Sequence, residues 1–151
     1  MAPGTKRLRQ DARIRVVLDT NCFLAARWNA ASASARIIRM CLQGELRHMC
    51  SPAVARELRR LVAQVGVPQD FIRLVEQYLA TAERVEPAAV PERAADPEDQ
   101  KYLECAAAGA DYLISSDNHL LDVRGAGRAL VVKPTQFLRY LEREKEEKEQ
   151  S

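Results

Sequence analysis

Two rhythms of apolar and polar positions alternate along the chain. Ile14 to Leu18 is a short β-branched run without polar alternation, the pattern of a strand buried on both faces. Ser32 or Ser34 can cap a helix in which Ile37, Ile38, Cys41 and Leu42 recur at helical spacing, and Gly44 is placed to end it. A second strand is expected at about Leu46 to Cys50. Ser51-Pro52 then supplies an N-cap and a first-turn proline, and Val54, Leu58, Leu61, Val62 and Val65 form one stripe expected to run until Gly66. Pro68 opens another helix with Phe71, Leu74, Val75, Tyr78 and Leu79 inward, and Arg84-Val85-Glu86 is expected as a short strand before Pro87 and Pro91 break the chain. Asp96-Pro97-Glu98-Asp99 starts the next helix with acids that suit the helix dipole, and Gly109 terminates it. Asp111 to Ser115 is the expected fourth strand, Asn118 to Val123 one or two helical turns, Ala129 to Val132 a fifth strand, and Pro134 to about Glu142 a final helix. Strands alternating with helices predict an α/β domain with a parallel sheet and helices on both faces.

Composition narrows the class. A length of 151 residues fits one domain, and 47% hydrophobic with 29% charged residues excludes a largely disordered or collagen-like chain. No run of apolar residues is long enough to span a bilayer. The apolar stretch after the basic N-terminus is too short for a signal peptide, so a cytoplasmic location is expected. Cys22, Cys41, Cys50 and Cys105 form no Cys-x-x-Cys pair and sit in apolar segments, as buried thiols do, and with only His48 and His119 to join them they make a poor zinc site. The net charge of +2 conceals an uneven distribution, because Glu142, Glu144, Glu146, Glu147 and Glu149 crowd the C-terminus and leave residues 1–141 with 20 basic and 16 acidic groups. Three regions follow: a basic arm over 1–13, a domain over 14–141 and a solvated, charged helix end or tail over 142–151.

In an open parallel sheet, strand C-termini and the N-termini of the following helices share one edge, where ligands bind. Asp19 ends the first strand and Asp117 follows the fourth by two residues, while Glu57 lies in the second turn of the helix after the second strand and Asp99 in the first turn of the helix before the fourth. Helical geometry puts Glu57 at the margin of its apolar stripe and turns Arg56, Arg59 and Arg60 away from it. The same geometry puts Asp99 on the inward face with Leu103 and Ala106. An inward acid must be protonated, paired or bound to a metal. Each acid alone also has a structural role open to it: Asp19 as a turn residue, Asp96 and Asp117 as caps, Asp99 as a first-turn acid, and Glu57 as a surface partner of Arg60. Four carboxylates on one edge would repel by around 4 kcal/mol per close pair at an effective dielectric near 20, and a divalent cation relieves that repulsion. All-oxygen donors favour Mg²⁺ or Mn²⁺, ions that activate water in phosphoryl chemistry. With those four acids set aside, residues 1–141 keep 20 basic groups against 12 acids, a surface suited to a phosphodiester polymer. Of the 23 cations 18 are Arg, the better bidentate phosphate ligand.

The segments Val17-Leu18-Asp19-Thr20-Asn21-Cys22-Phe23, Ser51-Pro52-Ala53 with Glu57-Leu58, and Asp96-Pro97-Glu98-Asp99 with Ala110-Asp111-Tyr112-Leu113-Ile114-Ser115-Ser116-Asp117 resemble the PIN domain over residues 14–138. Within it they most closely resemble the PIN-family toxins of toxin–antitoxin modules. The resemblance implies a three-layer α/β/α fold with a five-stranded parallel sheet in the order 3-2-1-4-5. It also implies a Mg²⁺- or Mn²⁺-dependent endoribonuclease that prefers single-stranded RNA. Carried over by motif, Asp19, Glu57, Asp99 and Asp117 would be the catalytic, metal-holding quartet, and Asn21, Ser115 and Asp96 supporting residues. Ser115 stands where many relatives carry threonine, and either hydroxyl can donate a hydrogen bond. The expected partners are single-stranded RNA, a cognate antitoxin and a second copy in a homodimer, with no membrane.

Other classes stay in view. A PIN nuclease of RNA processing, or a catalytically silent metal- and RNA-binding scaffold, would carry the same motifs. A signalling receiver shares the architecture and a Lys-Pro pair, here Lys133-Pro134, but Asp19 lacks an adjacent acid. Phosphatases of the haloacid dehalogenase type need a second acid where Asn21 stands. Trp28 and Asn29 could stack on a base, although an aromatic residue there more often serves a core or dimer contact. His48 and His119 are the weaker candidates for a general base.

Overall fold

A computed structural model describes residues 11–150. Residues 1–10 of the basic arm and Ser151 of the tail lie outside the described residues. The chain runs β1 (Arg15–Leu18), α1 (Thr20–Trp28), α2 (Ala33–Leu42), β2 (Arg47–Cys50), α3 (Pro52–Val62), α4 (Gln69–Thr81) and β3 (Glu83–Arg84). A 3₁₀ turn (Pro97–Asp99) then leads into α5 (Gln100–Ala106), β4 (Tyr112–Ile114), α6 (Asn118–Leu121), β5 (Gly125–Ala126), β6 (Ala129–Val132) and α7 (Pro134–Gln150).

The sheet order is β3-β2-β1-β4-β6-β5, with every pairing parallel except β5 with β6. β1 lies at the centre, and its Val16, Val17 and Leu18 are buried with Leu113 and Ile114 of β4, as a strand covered on both faces requires. Each such side chain contributes about 1.5–3 kcal/mol by leaving water. α5 lies against β1, β2 and β4, while α2 packs among α1, α4 and α7. Tyr112 of β4 meets the rings of Phe137 and Tyr140 on α7.

The five parallel strands follow the expected order, but the sheet has six strands. The extra one, β5, joins the edge through the two-residue connection Gly127-Arg128, with Ala126 opposite Ala129. Gly127 takes a φ of +60°, and a Cβ there would lie 3.1 Å from the Cα of Ala107, so glycine satisfies both the turn and the packing.

Three local expectations also change. Thr20–Trp28 forms a helix where the apolar pattern predicts none. Asp19 caps it by accepting from the Cys22 N–H at 3.1 Å, and Cys22 and Phe23 are buried. α3 stops at Val62 rather than at Gly66, so Val65 leaves the stripe and is fully exposed. α7 extends beyond Glu142 to Gln150, so residues 142–150 form a solvated continuation of the helix. His48 is buried: its Nε2 lies 2.8 Å from the Tyr78 carbonyl, and its ring packs on the Tyr78 ring. Burial lowers its pKa against the opposing pull of that hydrogen bond, which makes it a packed neutral residue.

Candidate functional site

Asp19 stands at the carboxyl end of β1, where its backbone N–H still donates to the Ile114 carbonyl of β4 at 3.2 Å. Its side chain is 3% exposed. One oxygen caps α1, and the other accepts from the Ser115 hydroxyl. The Ser115 hydroxyl in turn accepts from the Asp117 N–H at 3.0 Å, so one side chain fixes Asp19 and the start of α6 together. Desolvation raises the Asp19 pKa, the bonds from Ser115 and Cys22 oppose the rise, and the charge of Asp117 adds to it.

Asp117 caps α6 by accepting from the His119 N–H at 2.9 Å. Asp99 is half-buried at the end of the 3₁₀ turn, with Leu103 and Ala106 of α5 fully buried. Its carboxyl is pushed up to about 6, first by desolvation, then by the charges of Asp117 and Asp96, by a hydrogen bond with Asp117 and by the charge of Asp19. Asp96 itself is exposed and caps the 3₁₀ turn through the Glu98 N–H at 3.0 Å. Its contribution to the cluster is therefore a nearby negative charge. Among the described residues, no Lys, Arg or His pairs with Asp19, Asp99 or Asp117.

Glu57 reaches the same edge from α3 but is differently placed. Its Oε1 accepts from the Lys101 ammonium at 2.7 Å, and its Oε2 accepts from the Thr20 hydroxyl at 2.5 Å and from the Tyr102 hydroxyl. Desolvation alone would raise its pKa, but these three donors outweigh it and hold the carboxyl below its ordinary value. The Arg60 pairing open to it from sequence is thus replaced by Lys101. Tyr102 is 2% exposed and also receives the Thr20 N–H at 3.3 Å, so its hydroxyl ties α5 to the first turn of α1. Desolvation drives its pKa well above the ordinary phenol value.

Thr20, Lys101 and Tyr102 are absent from the set of residues that the sequence motifs single out. Tyr102 has a helical signal, since it lies three residues after Asp99 on the face that carries Leu103 and Ala106. Thr20 and Lys101 have no signal beyond their closeness in sequence to Asp19 and Asp99. Asn21 is exposed in the first turn of α1 and stands apart from these bonds. The exposed Trp28 carries the Arg27 guanidinium 4.6 Å from its ring centroid at the far end of α1.

The donor set fits a hard divalent cation in type, being carboxylate throughout, and in charge, because three acids repel one another with no cation partner. As placed, no group of three His, Cys, Asp or Glu among the described residues gathers around one point. The acids are near neighbours on one edge rather than a closed cage.

An open, mostly parallel sheet with acids assembled at its carboxyl edge defines an α/β domain with an acidic ligand-binding edge. The family model described as PIN domain matches residues 15–119, and the chain belongs to that family. Its members are generally nucleases and typically use divalent metal ions. Among solved structures, the crystal structure of PAE2754 from Pyrobaculum aerophilum is similar, with a TM-score of 0.55 and 16% identity over 89% of this chain and 93% of that one. At that identity the likeness concerns the fold. A search of curated proteins finds no match. No helix among the described residues is long and apolar enough to cross a membrane.

Proposed function

We propose that the protein is a Mg²⁺- or Mn²⁺-dependent endoribonuclease that hydrolyses phosphodiester bonds of single-stranded RNA. We extend that reading to the toxin of a type II toxin–antitoxin module, paired with a cognate antitoxin and acting as a homodimer. The observation that carries the nuclease reading is the set of three cation-free carboxyls, Asp19, Asp99 and Asp117, at the carboxyl edge of a PIN sheet. Resemblance in the motifs supports the toxin role.

Asp19, Glu57, Asp99 and Asp117 would hold the cation, which when bound supplies an activated water and offsets charge on the phosphate oxygens. Ser115 keeps Asp19 and the start of α6 in register through its hydroxyl. Tyr102 and Thr20 fix the first turn of α1, the helix that Asp19 caps. Arg56, Arg59 and Arg60 are exposed on α3, where they can meet the phosphates of an extended strand without reading its bases.

The test is cleavage of single-stranded RNA with Mn²⁺ or Mg²⁺. Activity should vanish with chelator and with Asp19→Asn or Asp99→Asn. Full activity in both substituted proteins, with folding unchanged, rejects the mechanism. A second reading, a metal- and RNA-binding scaffold without catalysis, draws on Glu57 being already neutralised by Lys101. Under that reading RNA and Mn²⁺ bind but no strand is cut. Growth arrest on expression of the protein alone, relieved by the neighbouring gene product, tests the toxin role.

A further inference from the structure

Glu57 differs from the other acids of the edge in having both oxygens occupied. Lys101 takes Oε1 at 2.7 Å, and the Thr20 and Tyr102 hydroxyls take Oε2. The Lys101 side chain is only 15% exposed and the Glu57 side chain 25%, so the pair is shielded from water. The ammonium also lies 3.4 Å from Glu98 and 5.6 Å from the centroid of the Tyr102 ring. Separating such a pair leaves two partly desolvated charges without partners, which is unfavourable. A divalent cation competing for Glu57 would have to displace an ammonium and two hydroxyl donors. At Asp19, Asp99 and Asp117 it would instead meet carboxyls that no Lys, Arg or His among the described residues pairs with.

We propose that Lys101 is a built-in counter-ion that withdraws Glu57 from the acidic cluster, so that Asp19, Asp99 and Asp117 alone hold the cation. Glu57 is then a positioning residue, bracing Thr20 and Tyr102 against the first turn of α1. The proposal rests on the metal-dependent reading above and departs from it in the ligand set. Lys101 then sets the metal affinity of the edge by keeping one acid out of it.

Calorimetric titration of Mn²⁺ into the full chain tests this without any activity assay. Asp99→Asn should weaken binding by about 100-fold or more, whereas Glu57→Gln should weaken it by less than about tenfold. Lys101→Met should tighten binding by about tenfold by releasing Glu57, and that gain should disappear in the double variant Lys101→Met with Glu57→Gln. Lys101→Arg preserves the charge and should behave as the unsubstituted protein, which controls for a merely structural defect. Equal losses in Glu57→Gln and Asp99→Asn would make Glu57 a ligand and overturn the proposal. So would a gain in Lys101→Met that survives removal of the Glu57 carboxylate, since it would come from the general field. Absence of Mn²⁺ binding by the unsubstituted protein overturns the metal reading itself, a distinct result from either of these.

Discussion

The two ends of the sheet treat their acids in opposite ways. At the amino edge three acids each have an arginine: Glu83 lies 2.7 Å from Arg47 and 3.6 Å from Arg15, Asp111 lies 2.5 Å from Arg128, and Asp11 lies 2.6 Å from Arg13 and 3.3 Å from Arg47. Asp111 also accepts the Arg15 N–H at 2.8 Å, which ties the start of β1 to that of β4. At the carboxyl edge Glu57 has Lys101, but Asp19, Asp99 and Asp117 have one another. The pKa shifts follow: hydrogen bonding to Arg13 holds Asp11 far below the ordinary carboxylate range, while Asp99 is pushed up to about 6 by desolvation and like charge. Paired acids serve the fold. Unpaired acids held close together are a standing electrostatic cost that a fold does not need, and their position on the edge where open parallel sheets bind ligands is what the proposed metal role draws on.

Substitution at the two edges should therefore separate activity from stability. Asp19→Asn or Asp99→Asn should lower Mn²⁺-dependent RNA cleavage by about 100-fold or more, the scale of removing one preorganised electrostatic group. Asp111→Asn should leave the cleavage rate unchanged. A large loss of activity in Asp111→Asn, with the melting temperature preserved, would break the division between the edges.

Tyr102→Phe is the next largest test and probes the junction between the acids. It removes the acceptor of the Thr20 N–H and one donor to Glu57. A cost of about 1 kcal/mol is expected, read as a fall of about 2–4 °C in melting temperature. An unchanged melt would show that the hydroxyl does not brace α1. Asp111→Asn should cost less, under about 1 kcal/mol, because its ion pair is partly exposed and salt screens it. Its small deficit should shrink further at high salt, and one that grows with salt would contradict the ion-pair origin.

How much of this is legible in the sequence depends on the range of each interaction. Asp19 and Asp117 are visible because strands end abruptly at them, and the angular positions of Glu57 and Asp99 follow from helical periodicity over a few residues. The strand order of the parallel set comes from motif resemblance. α1 escapes detection because Cys22 to Ala26 are apolar without a polar face, so no period stands out, while the Asp19 that caps it reads equally as a turn residue or a ligand. β5 is two residues long, too short to show alternation. The partner of Glu57 is hidden for a different reason. Arg60 is its neighbour in sequence, but Lys101, 44 residues away, is brought to it by the packing of α3 on α5. Local patterns cannot rank a near neighbour against a distant one, and the Thr20–Tyr102 bond, spanning 82 residues, is hidden for the same reason.

The effect of Asp99 on stability is the one whose sign most directly separates the edges. An unfolded aspartate titrates near 3.9, whereas Asp99 in the folded chain titrates at about 6. Below the unfolded value both states hold the proton and Asp99 has no effect. As pH rises through the unfolded value, the unfolded chain releases its proton first, and the native state loses stability until pH passes about 6, after which the deficit is constant. Asp99→Asn removes that deficit, so the metal-free variant should melt higher than the unsubstituted protein at pH 7.5, with the gain fading as pH falls from 6 toward 4. Mn²⁺ should reverse the ranking, because it binds the native state of the unsubstituted protein and raises its melting temperature. Protons and the cation also compete for the same carboxyl, so Mn²⁺ affinity should increase as pH rises through about 6. A variant less stable than the unsubstituted protein at pH 7.5 without metal would mean that Asp99 is stabilised by some partner, and the contrast between paired and unpaired acids would fail at the residue on which it depends most.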